Sequence, residues 1–194
     1  FQIAVDTDFI PLETLYHWCE VARKILNDYN VSRVIERPYK IIDGKPTRIS
    51  KDRRDYSMIP PYNVMNKIID SGLKVYGIGK IEDIFAKSGI SKAVHTGSNK
   101  EGLELTLDAV KNEKDMSLIF TNLVDTDMLY GHRNDAKGYG KAIEEIDTYL
   151  GPIMDSMDEY DLLIVTADHG CDPTVSGTDH TREKVPFLMY SKSL

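Results

Sequence analysis

Apolar residues in the first third of the chain are spaced first like a helix and then like strands. Between residues 11 and 29 they recur every three or four positions, which predicts one amphipathic helix. The Val-, Ile- and Tyr-rich segment 31–42 and the short segment 46–49 flank an Asp-Gly pair, and this arrangement predicts a β-hairpin. Each segment contains a proline, Pro38 or Pro46, so we expect these strands at sheet edges or interruptions.

Beyond residue 60 the pattern changes to short apolar runs that alternate with helical spacing. The predicted helices cover residues 64–70, 81–87, 100–112 and 135–157, and the predicted strands cover 74–78, 117–124, 161–166 and 185–190. Such alternation is typical of an α/β fold with a mostly parallel sheet.

A domain junction is predicted where this change occurs. The stretch 51–55 is charged, and Pro60 and Pro61 follow it closely. We therefore expect one domain over residues 1–59 and a second over 60–194. The alternative interpretation is a surface loop within a single domain.

Composition narrows the classes of partner. The 24 Lys and Arg residues stand against 31 Asp and Glu residues, giving a formal charge of -7, which argues against binding to nucleic acid or an anionic membrane. No apolar run approaches the roughly 20 residues that a membrane span needs. The two cysteines do not suggest a disulfide framework, so we expect a reducing, cytoplasmic location.

Candidate metal ligands lie in three short segments, in polar residues that follow apolar runs. Open α/β sheets place their sites where strands run out into loops. The candidates are Asp125, Asp127 and His132 in the first segment, Asp168 and His169 in the second, and His180 in the third. Carboxylates with imidazoles suit Mn²⁺ or Zn²⁺, and this number of ligands is enough for a two-metal site that performs phosphoryl transfer.

The residue types leave several alternatives open. Asp125 and Asp127 would alternate onto one side of the predicted strand, so either could be the ligand and the other its support. His132 taken alone is also compatible with a hydrogen-bonded structural role. Cys171 is interpreted as a small buried thiol, and no role is assigned to it.

These three segments, 122–133, 166–173 and 177–183, resemble those of phosphopentomutases. The Thr-Ala-Asp-His-Gly step occurs across the wider alkaline-phosphatase-like superfamily, including cofactor-independent phosphoglycerate mutases. The Asp-x-Asp-x-x-x-Gly-His-Arg step and the Gly-Thr-Asp-His-Thr-Arg-Glu ending point to the pentomutase branch. The likeness extends upstream through short segments near residues 1–4 and 33–38, and covers essentially the whole chain.

The resemblance implies a fold and an activity. The fold would be a partial alkaline-phosphatase-like core with a mostly parallel sheet, over residues 60–194, and part of a small α+β cap domain, over residues 1–59. The activity would be interconversion of ribose or deoxyribose 1-phosphate and 5-phosphate at two Mn²⁺ ions, through a phosphothreonine and a bisphosphate. The partner would be a small sugar phosphate; no oligomeric state is implied.

The resemblance also implies roles for individual residues. Asp127, His132 and His180 would hold one ion and Asp168 and His169 the other, with Asp125 supporting them rather than binding metal. The basic residues that would grip the sugar phosphate are Arg33, Arg37, Arg53 or Arg54, and Lys80. A solvated charged face is the alternative interpretation for each of these cations.

In phosphopentomutases the phosphorylated threonine and one metal-binding aspartate precede the segment that opens this sequence. The catalytic residue therefore has no counterpart to be assigned, and we expect a carboxy-terminal fragment that is inactive on its own. Two other functions are kept as alternatives. One is another two-metal phosphoryl-transfer enzyme, such as a phosphoglycerate mutase or a phosphatase, and the other is an inert metal-binding fragment.

Overall fold

The computed structural model describes residues 1–193, which form two compact units. The first unit comprises residues 1–61 with 83–86, and the second comprises 62–82 and the chain from 87 onward. The first division falls close to the junction predicted near residue 60. The interpretation of the units as cap and catalytic core stays a prediction.

The first unit is a four-stranded sheet with one long helix. Its elements are β1 (Gln2–Asp6), α1 (Leu12–Asn27), β2 (Arg33–Ile42), β3 (Lys45–Arg48) and β4 (Asp55–Ser57). β2 pairs in parallel with β1 and antiparallel with β3 and β4. Leu15 and Cys19 of α1 pack with Val5 and Val34 to form the buried core of this unit.

The predicted helix and hairpin are confirmed in the first unit. Asp43 and Gly44 have φ angles of +51° and +72°, as the tight turn of a two-residue hairpin requires. Pro38 lies between the parts of β2 that pair with β4 and with β3, so it occupies the predicted interruption although β2 itself is central. β1 was not predicted because Val5 is its one buried residue, which leaves no alternation to detect.

The second unit contains a three-stranded parallel sheet in the order β6-β5-β7 and a separate antiparallel ribbon, β8-β9. Its helices are α2 (Val64–Asp70), α4 (Asn99–Asn112) and α5 (Ala136–Ser156). The short helix α3 (Ile81–Ile84) begins in this unit and ends among the residues assigned to the first. The strands of the second unit are β5 (Val75–Ile78), β6 (Lys92–Val94), β7 (Leu118–Thr121), β8 (Leu163–Thr166) and β9 (Phe187–Tyr190). The predicted α/β class with parallel strands is confirmed.

Two local predictions in the second unit were wrong. The strand predicted over 117–124 ends at Thr121, and a wide helical turn follows at Thr126–Tyr130. Asp125 and Asp127 therefore do not alternate along a strand; in a helical turn, residues two apart point in nearly opposite directions. The helix predicted over 81–87 ends at Ile84.

Both Cys19 and Cys171 are free thiols. Within residues 1–193, no helix has the length and apolar character needed to cross a bilayer.

Candidate metal centre

The wide turn at Thr126–Tyr130 brings the first two predicted ligands, Asp127 and His132, together. It is followed at once by a tight turn, Gly131–Arg133, and the backbone N–H of Gly131 donates to the carbonyl of Thr126, five residues back. A turn closed in this way takes more than four residues per revolution, so side chains five apart share a face. Oδ1 of Asp127 accordingly lies 3.2 Å from Nε2 of His132.

The third predicted ligand, His180, lies about 50 residues further along the chain. An antiparallel bridge joins Gly170 to Thr181 and holds the neighbouring His180 against the turn. Nε2 of His180 lies 3.4 Å from Oδ1 of Asp127. One candidate ligand atom each from Asp127, His132 and His180 lies within 4.8 Å of the others, and this is the one such group among the described residues 1–193.

The other predicted pair lies beside this group. Oδ1 of Asp168 is 3.6 Å from Nε2 of His169. The His169 ring stacks on the His180 ring with centroids 3.6 Å apart and planes inclined by 15°. The structure therefore brings His169 into ring contact with His180 and leaves Asp168 beside His169, outside the group of three. The role of all five as metal ligands stays a prediction.

Backbone carbonyls set the tautomers of two histidines. Nδ1 of His132 lies against the carbonyl oxygen of Thr178, and Nδ1 of His169 lies 3.1 Å from that of Gly170. A carbonyl can only accept, so each Nδ1 carries the hydrogen and donates it. In the neutral imidazole Nε2 is then the atom with the lone pair, and Nε2 of each ring faces a carboxylate, which is the orientation that a metal-binding histidine needs.

Asp125 has different neighbours. It is buried; its Oδ2 accepts from the backbone N–H of Asn99 at 2.7 Å, and its own N–H donates to Oδ1 of Asn99 at 2.9 Å. Asn99 is the first residue of α4, where a carboxylate is favoured by the helix dipole. These bonds fasten the start of the wide turn to α4. Direct support of the metal ligands by Asp125 stays a prediction.

Sequence reasoning missed Asn134, which orders the loop between the second and third segments. Its Nδ2 donates to the carbonyl of Val175 at 2.7 Å. Its backbone is left-handed, with φ of +54°, a conformation that Asn tolerates better than most residues. That tolerance is the one signal that the sequence offered.

Three arginines of the first unit surround a small cavity. Arg37, Arg48 and Arg53 line a space of about 130 Å³. Burial lowers the pKa of Arg37, and the nearby charges of Arg48 and Arg53 lower it further. The carboxyl of Glu36 lines the same space, but the three guanidinium groups outnumber it, so the cavity favours an anion. Arg48 was not among the predicted residues, although the hairpin register that places it beside Tyr39 could have indicated it.

The remaining predicted cations are placed differently. Arg33 and Arg53 both form ion pairs with Asp55. Arg54 lies over the ring of Tyr16, 3.6 Å from its centroid, so its contact is with α1. Lys80, in the second unit, is exposed two residues after the end of β5.

Comparison with known proteins bears on these observations. A family model described as the Metalloenzyme superfamily matches residues 29–194. The chain is 52% identical over 196 residues to the phosphopentomutase of Clostridium novyi, 51% over 192 residues to that of Anaeromyxobacter sp. (strain K), and 53% over 196 residues to that of Caldanaerobacter subterraneus. These alignments cover 100%, 98% and 100% of this chain but 50%, 49% and 49% of the relatives. The chain thus spans about half the length of the curated relatives it matches.

A solved structure agrees on the fold. The PH0037 protein from Pyrococcus horikoshii superposes with a TM-score of 0.58 at 20% identity, covering 91% of this chain and 52% of that one. With the family match, this likeness confirms the predicted α/β, alkaline-phosphatase-like fold. The predicted resemblance to phosphopentomutases is confirmed as well.

Proposed function

Since the chain belongs to the Metalloenzyme superfamily, we propose that it is part of a phosphopentomutase that interconverts (deoxy)ribose 1-phosphate and 5-phosphate. This proposal rests on the convergence of Asp127, His132 and His180. Asp127 and His132 lie on two successive turns of the chain. The phosphopentomutases at about half identity along the whole chain support the choice of reaction.

The side chains of the cluster fit a divalent ion. One carboxylate and two imidazoles are a suitable donor set for Mn²⁺, and each pairwise distance is short enough for a shared ion. Asp127, His132 and His180 would hold one Mn²⁺, and Asp168 and His169 would contribute to a second. When bound, the two ions would supply positive charge to the phosphoryl group in transfer.

The chain's own residues prepare the site. The carbonyls of Thr178 and Gly170 keep hydrogen on Nδ1 of His132 and His169, so both rings present Nε2. The stacking of His169 on His180 keeps the two groups of ligands adjacent. We assign the phosphoryl carrier to a threonine in the half of the relatives' length that this chain does not span.

The arginine cavity would hold the phosphate of the sugar. Arg37 and Arg53, with Arg48, offer forked donors that suit the oxygens of a phosphate ester. Arg33 would contribute through the carboxylate of Asp55 that it shares with Arg53. Lys80 remains a proposed contact, and the Arg54 guanidinium is proposed as a support from its position over Tyr16. We place the enzyme in the cytoplasm, in keeping with its free thiols.

The test is conversion of ribose 1-phosphate to ribose 5-phosphate by the full-length protein, with Mn²⁺ and after its removal by a chelator. We expect Mn²⁺-dependent conversion that the chelator abolishes and added Mn²⁺ restores. Turnover of phosphoglycerate, or simple release of phosphate, without pentose phosphate conversion would contradict the proposal and favour another two-metal enzyme.

A further inference from the structure

Cys171 follows the Asp168-His169-Gly170 step and contacts the metal cluster. Its half-buried Sγ lies 3.9 Å from Oδ1 of Asp127. The same oxygen faces Nε2 of His132 at 3.2 Å and Nε2 of His180 at 3.4 Å. The thiol is thus a neighbour of the one oxygen atom on which the candidate ligand group is centred.

The absence of a side chain at Gly131 makes this contact possible. A Cβ atom at that position would lie 2.2 Å from Sγ of Cys171, far inside the contact distance of two such atoms. Gly131 belongs to the turn that separates Asp127 from His132. The sulfur therefore occupies a notch in the segment that carries two of the ligands.

We propose that Cys171 is a positioning residue for Asp127. Its S–H donates to Oδ1 of the carboxylate while the sulfur is held in the notch at Gly131, and the carboxylate is thereby kept facing the two imidazoles. A thiol is a weak donor, but an ionised carboxylate strengthens the bonds it accepts. This inference rests on the proposed function, because it concerns the affinity of the proposed Mn²⁺ site.

A space-filling role for Cys171 makes a different prediction. If the sulfur only fills the notch, an apolar side chain of similar size should serve as well. If the thiol orients Asp127, the same replacement removes the donor and frees the carboxylate to rotate. Hydrogen-bonding partners of metal ligands change metal affinity by about 10- to 100-fold, and a thiol belongs at the lower end of that range.

The experiment compares Mn²⁺ binding by the full-length wild-type protein and its Cys171→Val variant, using titration calorimetry and the Mn²⁺ electron paramagnetic resonance signal. We expect the Kd for Mn²⁺ to rise about tenfold with a changed resonance spectrum. The melting temperature of the metal-free protein should move little. Cys19→Val is the matched control, since Cys19 is a buried thiol in the core of the first unit, and its Kd should equal that of the wild type.

A second variant keeps the test decisive if Cys171→Val folds poorly. In Gly131→Ala the new Cβ would displace Sγ from the notch and would also lie 3.2 Å from the carbonyl oxygen of Thr126, so the Kd should rise by at least a similar factor although the thiol is still present. Wild-type Mn²⁺ binding with unchanged affinity in both variants would overturn the positioning role and leave the metal site standing. Failure of the wild-type protein to bind Mn²⁺ would overturn the proposed function together with this inference.

Discussion

The metal cluster of the second unit and the arginine cavity of the first unit hold their polar side chains by different means. Around the metal cluster, backbone groups fix the side chains: Asn99 donates its N–H to Asp125, and the carbonyl of Thr178 accepts from His132. In the first unit, charged side chains hold one another: Asp55 pairs with both Arg33 and Arg53. Backbone partners do not titrate, whereas ion pairs weaken with salt. The metal cluster should therefore keep its geometry under conditions that loosen the arginine cavity.

Loss of a proposed metal ligand is the largest effect that we expect. His180→Ala removes one of the three side chains around Oδ1 of Asp127, so the Kd for Mn²⁺ should rise by more than about 100-fold, beyond the loss expected for a supporting residue. Titration calorimetry on the full-length protein measures it. His17→Ala, an exposed histidine on α1, is the control and should bind as the wild type does. Equal affinity in the two variants would remove His180 from the ligand set.

A smaller, purely structural effect should follow from Asp125→Ala. The change leaves the buried N–H of Asn99 without its acceptor, which should cost about 2 kcal/mol of unfolding free energy. Urea denaturation of the metal-free protein is the measurement. Asp108→Ala, an exposed acid on α4, should change stability by less than about 0.5 kcal/mol. A similar small change for Asp125→Ala would show that this backbone contact is not a strong tether.

Removing the charge of the buried carboxyl in the first unit, Glu36, should raise the unfolding free energy rather than lower it. Glu36 is fully buried, and within residues 1–193 neither of its carboxyl oxygens has a hydrogen bond of good geometry. Burial raises the pKa of Glu36 above its ordinary value of 4.5, against the lowering effects of Tyr56 and Arg54. The folded state thus favours the neutral acid. The contribution of the neutral acid to the stability of the folded state is complete below the unfolded-state pKa. It is lost as the pH rises through the folded-state pKa.

Glu36→Gln should therefore stabilise the protein at neutral pH, by about 1 kcal/mol, because it removes a poorly compensated buried charge. The gain should vanish near pH 4, where the wild-type carboxyl is protonated. Thermal unfolding across this pH range gives the comparison, with the exposed Glu13→Gln as control. A gain that is independent of pH would mean that burial of the charge is not its cause.

The smallest effect should come from Asp55→Asn. The pairs with Arg33 and Arg53 are partly exposed, so their loss should cost about 0.5 kcal/mol, and the difference from the wild type should shrink further in 1 M salt as screening weakens the pairs. Urea denaturation at low and high salt measures both quantities. A large loss of unfolding free energy that salt does not change would contradict the difference between the arginine cavity and the metal cluster.

The sequence predicted what depends on local periodicity. The apolar spacing of α1, α4 and α5 extends over three or more turns, and the Asp43-Gly44 pair has the chemistry of one turn type. The wide turn at Thr126–Tyr130 could not be predicted, because Val124 and the β-branched Thr126 alternate with carboxylates as they would in a strand. Its geometry depends on bonds to the following turn.

The side chains of the candidate site could be predicted from the sequence, whereas the groups that hold those side chains in place could not. Asp127, His132 and His180 stand in motifs that can be read directly. The carbonyl of Thr178 is a backbone group, which every residue possesses, so side-chain identity gives no sign of its role. The notch at Gly131 depends on a glycine that the sequence shows, but only the fold brings Cys171 to it. Arg48 was hidden for a related reason, since only the register of β3 on β2 brings it to the cavity.

The wide turn has a consequence for how this segment can change over evolutionary time. Met128 and Leu129, which lie between Asp127 and His132, are about two-fifths exposed, so many side chains could replace them. Inserting or deleting one residue there would instead rotate His132 away from Asp127 by about a quarter of a revolution. Substitutions in this stretch should therefore have small effects, whereas a change of its length should separate His132 from Asp127. Related chains should be sought by a fixed number of residues between these two ligands, with the identity of those residues left open.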